Sequence, residues 1–155
     1  MTTIVLRSPL AGWCLPLEEV PDAVFAQKMA GDGVAIEPTE GVVYAPCDGE
    51  VVFPKEAKHA LTLRTASGQD VLIHVGIDTV QLDGQGFTVH VEKGDEVTAG
   101  QLVVTYDVPA VETLGRNPVV PVVALEKDAD SISLADAVAS GAELSAQDTI
   151  FTVDG

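Results

Sequence analysis

The chain is poor in basic residues, aromatics and cysteine, and has no long apolar run. Eight Lys and Arg stand against 24 Asp and Glu, giving a formal net charge of −16. No basic stripe is available to neutralise phosphates, which excludes nucleic acid as a partner. The same deficit disfavours adsorption to anionic lipid. Acidity of this size keeps a protein soluble and draws basic patches of other proteins toward it. Cys14 and Cys47 are too few for a disulfide framework, and each reads as a small buried hydrophobe. No segment approaches the ~18 apolar residues needed to span a bilayer. Met1 to Pro9 lacks a basic region followed by a long apolar core, so the cytoplasm is the expected compartment. There is no Walker A motif and no Gly-rich nucleotide loop. Nor is there a lysine at a hairpin tip in the setting of a biotin or lipoyl carrier.

What is present is β patterning. Hydrophobic residues make up 46% of the 155, which suits a single domain over residues 1–155 with a real core. Short runs at Ile4–Leu6, Val34–Ile36, Val42–Tyr44, Gly49–Phe53 and 59–74 are punctuated by Pro38, Gly41, Pro46 and Pro54. Strands of this length at turn-sized spacing predict an all-β fold, an antiparallel β-sandwich with barrel-like character. Three helical turns are expected. Asp22 is placed to cap Ala23–Met29, which Gly31-Asp-Gly33 would end by a tight turn, and Val108–Leu114 and Leu134–Val138 are the others. Pro118 and Pro121 read as bracketing a strand edge. Residues 94–107 align without a gap on 141–154, matching Gly, Glu, Ala, Thr and Asp identically. Two copies 47 residues apart predict duplicated β elements within one sheet system, not a solenoid.

The chemistry gathers on one hairpin. His59-Ala-Leu-Thr-Leu-Arg64, Thr65-Ala-Ser-Gly68 and Gln69-Asp-Val-Leu-Ile-His74 read as strand, turn and strand. With Thr65 to Gly68 as a four-residue loop, Arg64 faces Gln69 and His59 faces His74, with Cβ atoms ~5 Å apart. Two adjacent imidazoles can bind a metal, relay a proton or carry a phosphoryl group. His74 shares its face with Leu72, while Val71, Ile73 and Val75 form an apolar opposite face. Gly76 lets the chain bend, so that Asp78 can return toward the ring. Asp22 and the Gly31-Asp-Gly33 segment are the other polar features nearby. His90, without such company, reads as a solvated strand residue.

These residues carry a resemblance. His74-Val-Gly-Ile-Asp-Thr79, with a second histidine fifteen residues upstream, is the most specific part. Ser8-Pro-Leu-Ala-Gly12, Val20-Pro-Asp-Ala-Val-Phe25, Gly31 to Pro38, Ala45-Pro-Cys-Asp-Gly49, Gly84-Gln-Gly-Phe87 and Pro118 to Val123 extend it over nearly the whole chain. The chain resembles the glucose-type EIIA proteins (PTS EIIA type-1) of the bacterial phosphoenolpyruvate-dependent sugar phosphotransferase system.

The resemblance implies a phosphohistidine carrier, a phosphotransferase component of sugar transport. His74 would accept a phosphoryl group from the small carrier HPr and pass it to a cysteine on the IIB domain of a sugar permease. It implies Nε2 as the reactive atom, with the other ring nitrogen held by a backbone carbonyl near Gly76. His59 would hydrogen-bond the phosphoryl oxygens and support transfer. Asp78, Asp22 and Thr79 would flank the site, and Phe25 would join an apolar ring around it. No cofactor is implied. Two departures from the family pattern stand out. Ala57 replaces the hydroxyl residue often found two positions before the upstream histidine, and no membrane-touching N-terminal tail precedes the first strand. The alternative is a regulatory module that docks on transporters or kinases, with Zn2+ held by His59, His74 and a partner carboxylate. Two histidines alone are too few for a closed zinc site. A metallopeptidase would need a third protein ligand, for which no His-x-His is present.

Overall fold

Side chains on a strand alternate between its two faces, and here that alternation sorts one sheet into an inner side facing the main core and an outer side bearing a smaller cluster. The structure, a computed structural model, describes residues 3–20, 23–27, 31–53, 60–66, 68–76, 87–113, 118–125, 132–134, 143–145 and 148–154. The strands are β1 (Thr3–Arg7), β2 (Gly12–Pro16), β3 (Gly31–Pro38), β4 (Val42–Tyr44), β5 (Gly49–Phe53), β6 (Ala60–Arg64), β7 (Asp70–His74) and β8 (Phe87–Val89), then β9 (Glu96–Val97), β10 (Leu102–Tyr106), β11 (Val120–Leu125), β12 (Ile132–Leu134), β13 (Glu143–Leu144) and β14 (Thr149–Asp154). Two short helices, α1 (Ala23–Ala26) and α2 (Val108–Thr113), and a 3-10 turn at Leu17–Glu19 join them.

An eight-stranded sheet runs β13-β2-β3-β11-β7-β6-β5-β9, beside two three-stranded sheets, β1-β14-β12 and β4-β10-β8. The pairings are antiparallel throughout. The fold is thus the all-β, antiparallel arrangement expected. On the inner face of the large sheet, Cys14, Ile36, Val122, Ile73 and Leu61 enter the main core, together with Leu6, Phe151 and Val104 of the small sheets. On the outer face, Ala35 and Val123 join Leu17, Val20, Phe25 and Val119 in a second, smaller cluster, against which Leu15 and Leu72 pack.

The repeat seen in the sequence is half of a larger symmetry. β5 pairs β9 at Gly49↔Val97 and Glu50↔Glu96, while β2 pairs β13 at Gly12↔Leu144 and Trp13↔Glu143. β10 on β4 and β14 on β1 share a register, including a bulge at the same place. Two cross-links are reciprocal: Arg7 N–H donates to Pro46 O at 2.9 Å, and Tyr44 N–H to Pro9 O at 2.6 Å. Even the turns match. Ser145 N–H donates to the Asp148 carboxylate at 2.8 Å, and Thr98 N–H to the Gln101 side-chain oxygen at 3.3 Å. One copy is β4 to β10. It is inserted between β3 and β11 of the other copy, which is β1 to β3 followed by β11 to β14. The pseudo-dyad passes through the Val122↔Ile73 pair, where β11 meets β7.

Several local expectations change. β3 begins at Gly31, so Gly31-Asp-Gly33 is extended strand rather than a turn. Its glycine serves a close approach instead: a Cβ at Gly33 would overlap the Val122 carbonyl oxygen. Pro121 lies inside β11 rather than bracketing it. There the β7 ladder starts only one residue later, at Val122. Leu134 ends a strand, β12, that pairs with β14, and residues 135–138 lie outside the described residues. α1 closes at Ala26.

Candidate functional site

The hairpin β6–β7 forms with a register one residue away from the expected one. Arg64 faces Asp70, Leu63 faces Val71, and Ala60 faces His74. The reason lies at the turn. Thr65 N–H donates to Gln69 O at 2.9 Å and Gly68 N–H to Thr65 O at 2.9 Å, so Thr65 and Gln69 close a loop of three residues rather than four. Gly68, at φ +89°, supplies the left-handed position such a loop requires. Gln69 is drawn inward, where its side-chain amide donates to Asp70 O at 2.7 Å and Leu125 O at 3.0 Å. The Arg64 guanidinium grips Asp70 with two bonds, at 2.9 and 3.1 Å. A one-residue slip would lose all of these contacts and turn every side chain to the other face. The residue directly opposite His74 is therefore Ala60. His59 lies outside the described residues, as do Asp22, Asp78 and Thr79.

His74 closes β7 on the outer face, beside Leu72, while Val71, Ile73 and Val75 are fully buried on the inner one. Its ring meets a backbone carbonyl and an aromatic side chain. Nδ1 lies 2.6 Å from the Gly76 carbonyl oxygen. A carbonyl can only accept, so Nδ1 carries the proton, and a neutral ring then has its lone pair on Nε2. Gly76 makes this bond by taking φ +81°, which turns its own carbonyl back over the strand end. Phe25, at the end of the Val20-to-Phe25 segment, meets the imidazole edge to face, with centroids 5.2 Å apart and planes at 61°. Phe25 is 5% exposed and rests in the outer cluster with Leu17, Val20, Ala35, Val119 and Val123.

This floor of small aliphatic residues was not singled out from the sequence. Its signal is Gly33 and Ala35 on β3 with Pro121, Val123 and Leu125 on β11, which alternate with the core-facing set and are equally apolar. A half-buried imidazole on such a floor can act as a nucleophile at Nε2 with restricted access for water. Among the described residues no group of three or more His, Cys, Asp or Glu could hold a metal, and no helix is long and apolar enough to cross a membrane. His90 is exposed, with Nε2 3.1 Å from Thr105 Oγ1. Cys14 and Cys47 are buried free thiols whose pKa values burial pushes up to about 11 and about 12.

Comparison with known proteins places these features in a family. Residues 4–129 match the model of the phosphoenolpyruvate-dependent sugar phosphotransferase system, EIIA 1. A PTS system glucose-specific EIIA component from Oceanobacillus iheyensis is 42% identical over 125 residues, 81% of this chain and 76% of that protein. Among solved structures, the glucose permease IIA from Mycoplasma capricolum superposes with a TM-score of 0.90 at 31% identity, covering 99% of this chain and 97% of that one.

Proposed function

Because the chain belongs to the EIIA 1 family and is a phosphocarrier of the sugar phosphotransferase system, we propose that His74 is the residue that carries the phosphoryl group. The observation behind this reading is the 2.6 Å contact between His74 Nδ1 and Gly76 O, which leaves Nε2 as the nucleophilic nitrogen. Phospho-HPr is the donor. As its P–N bond breaks, the Nε2 lone pair takes the phosphorus in line, and the group leaves later when a cysteine thiolate of the IIB domain forms a P–S bond. A loose transition state of this kind asks the protein for positioning and charge stabilisation rather than acid–base work. Phe25 and the aliphatic floor limit hydrolysis of the phosphohistidine. We assign His59 to the phosphoryl oxygens, and Asp22, Asp78 and Thr79 to the rim that meets partners. No metal or organic cofactor enters this scheme. The exchange belongs in the cytoplasm, and the two similar proteins, both named for glucose, make glucose the sugar to test first.

The test uses phosphoenolpyruvate, enzyme I and HPr, with the modified residue mapped by mass spectrometry at neutral pH. The label is expected on His74. His74→Gln accepts nothing, whereas His59→Gln accepts but passes the group to IIB slowly. Normal labelling of the His74→Gln variant sinks the reading.

A further inference from the structure

One corner of the same outer face holds a feature that phosphoryl transfer at His74 does not use. Trp13 on β2, the single tryptophan of the chain, is 49% exposed. A lone exposed apolar side chain is ordinary; its neighbours set this one apart. Directly across the two ladders stand Glu143 on β13 and Glu37 on β3, with Cβ atoms ~5 Å away. Glu112 on α2 is close enough to raise the Glu37 carboxyl above its ordinary range, second to burial as a cause.

The pseudo-dyad supplies a comparison within the molecule. Its equivalent ladder runs Glu96, Glu50, Arg64, Asp70, and there the Arg64 guanidinium sits between carboxylates. In the Trp13 ladder the place of Arg64 is taken by Glu37. Among the described residues no cation pairs with Glu37 or Glu143. Among the described residues, one copy of the fold thus sets a guanidinium in its acidic corner, and the other sets an exposed indole between two carboxylates.

We propose that Trp13, Glu37 and Glu143 receive an arginine of the phosphoryl donor, HPr, as it docks over His74. This rests on the reading of His74 given above. A guanidinium lays its plane on the indole face and turns its N–H groups to flanking carboxylates, a geometry that a lysine ammonium does not match. Reach is adequate. Trp13 is three strands from β7 and one side-chain row away from His74, ~16 Å by the usual sheet spacings. A standard footprint of ~800 Å² per partner, centred on His74, has a radius of about the same length.

The 155-residue chain carrying 5-fluorotryptophan gives one 19F line, because Trp13 is its only tryptophan. Adding unphosphorylated HPr is expected to shift that line, with a midpoint that rises with ionic strength. A Glu37→Gln, Glu143→Gln double variant should weaken binding about tenfold, as loss of complementary charge does. Glu50→Gln, its counterpart in the other copy, should leave the midpoint unchanged. Trp13→Ala should raise KM for phospho-HPr with kcat retained. A line that stays fixed while HPr phosphorylates His74 overturns the docking inference and leaves the carrier reading standing. So does a response only to the IIB domain. A His74 that phospho-HPr never labels removes both.

Discussion

At Gly76 a single backbone angle sets the tautomer of a ring two residues earlier. The φ of +81° is strained for any residue with a Cβ, at about 1–2 kcal/mol. Gly76→Ala should therefore lose stability of that order in urea melts. It should also reduce the Nδ1–H population of His74 in 15N spectra and slow phosphoryl acceptance, although the histidine itself is untouched. The two thiols give a pH-dependent prediction. Burial raises both above the ordinary value of 9.0, so the folded state prefers them neutral. That preference is fully present below pH 9. It is lost as pH rises toward 11 to 12, where the unfolded chain has already released its protons. Alkaline unfolding should begin above pH 9, and Cys14→Val should move its midpoint upward; Val51, the dyad equivalent of Cys14, shows that the position suits valine. Native protein should react with thiol reagents only after denaturant is added. At this scale the sequence was legible where chemistry is carried by residue type: His74, Gly76 and Phe25 were all singled out before their geometry was described. The aliphatic floor beneath them was not, because valines in a β protein are unremarkable until the register says which face they occupy.

At the scale of elements, the hairpin β6–β7 shows why strands were readable and their pairing was not. Both strands were placed to within a residue. The register depended on whether the turn used three residues or four, and that choice rests on Gln69, whose amide is committed to Leu125 O in β11, 56 residues away. No local pattern contains that contact. Gln69→Ala should cost about 1–3 kcal/mol by leaving a buried carbonyl unsatisfied, read as a lower urea midpoint with an unchanged slope. Asp70→Asn removes the exposed bidentate pair with Arg64. It should change stability little and in a salt-dependent way, since exposed ion pairs contribute little. A cross-strand Ala60–His74 nuclear Overhauser contact in both variants would show the register intact. Gly31-Asp-Gly33 misled for a related reason. Glycines signal turns and close approaches alike, and here the β11 backbone demands the second.

Over the whole molecule, the insertion of one copy into the other divides contacts by distance along the chain. β4 to β10 close among themselves within residues 42–106, whereas β1 must find β14 from the far end of the sequence. Because closing longer loops costs more entropy, amides of β6 and β7 should gain protection in pulse-labelled hydrogen exchange before those of β1 and β14. The sequence disclosed one limb of this symmetry, the 94–107 and 141–154 repeat. The other limb is fainter: Val5, Pro9 and Gly12 recur as Val42, Pro46 and Gly49, but Leu6, Ser8 and Leu10 between them have become Val43, Ala45 and Cys47, alike only in burial. The dyad also fixes a stoichiometry. The place equivalent to His74 is Val123, fully buried, a hydrocarbon tile in the floor on which the imidazole stands. With His74 as the proposed carrier, a scaffold doubled in every strand offers one loading berth, and a fully charged population should gain one phosphate per chain by mass.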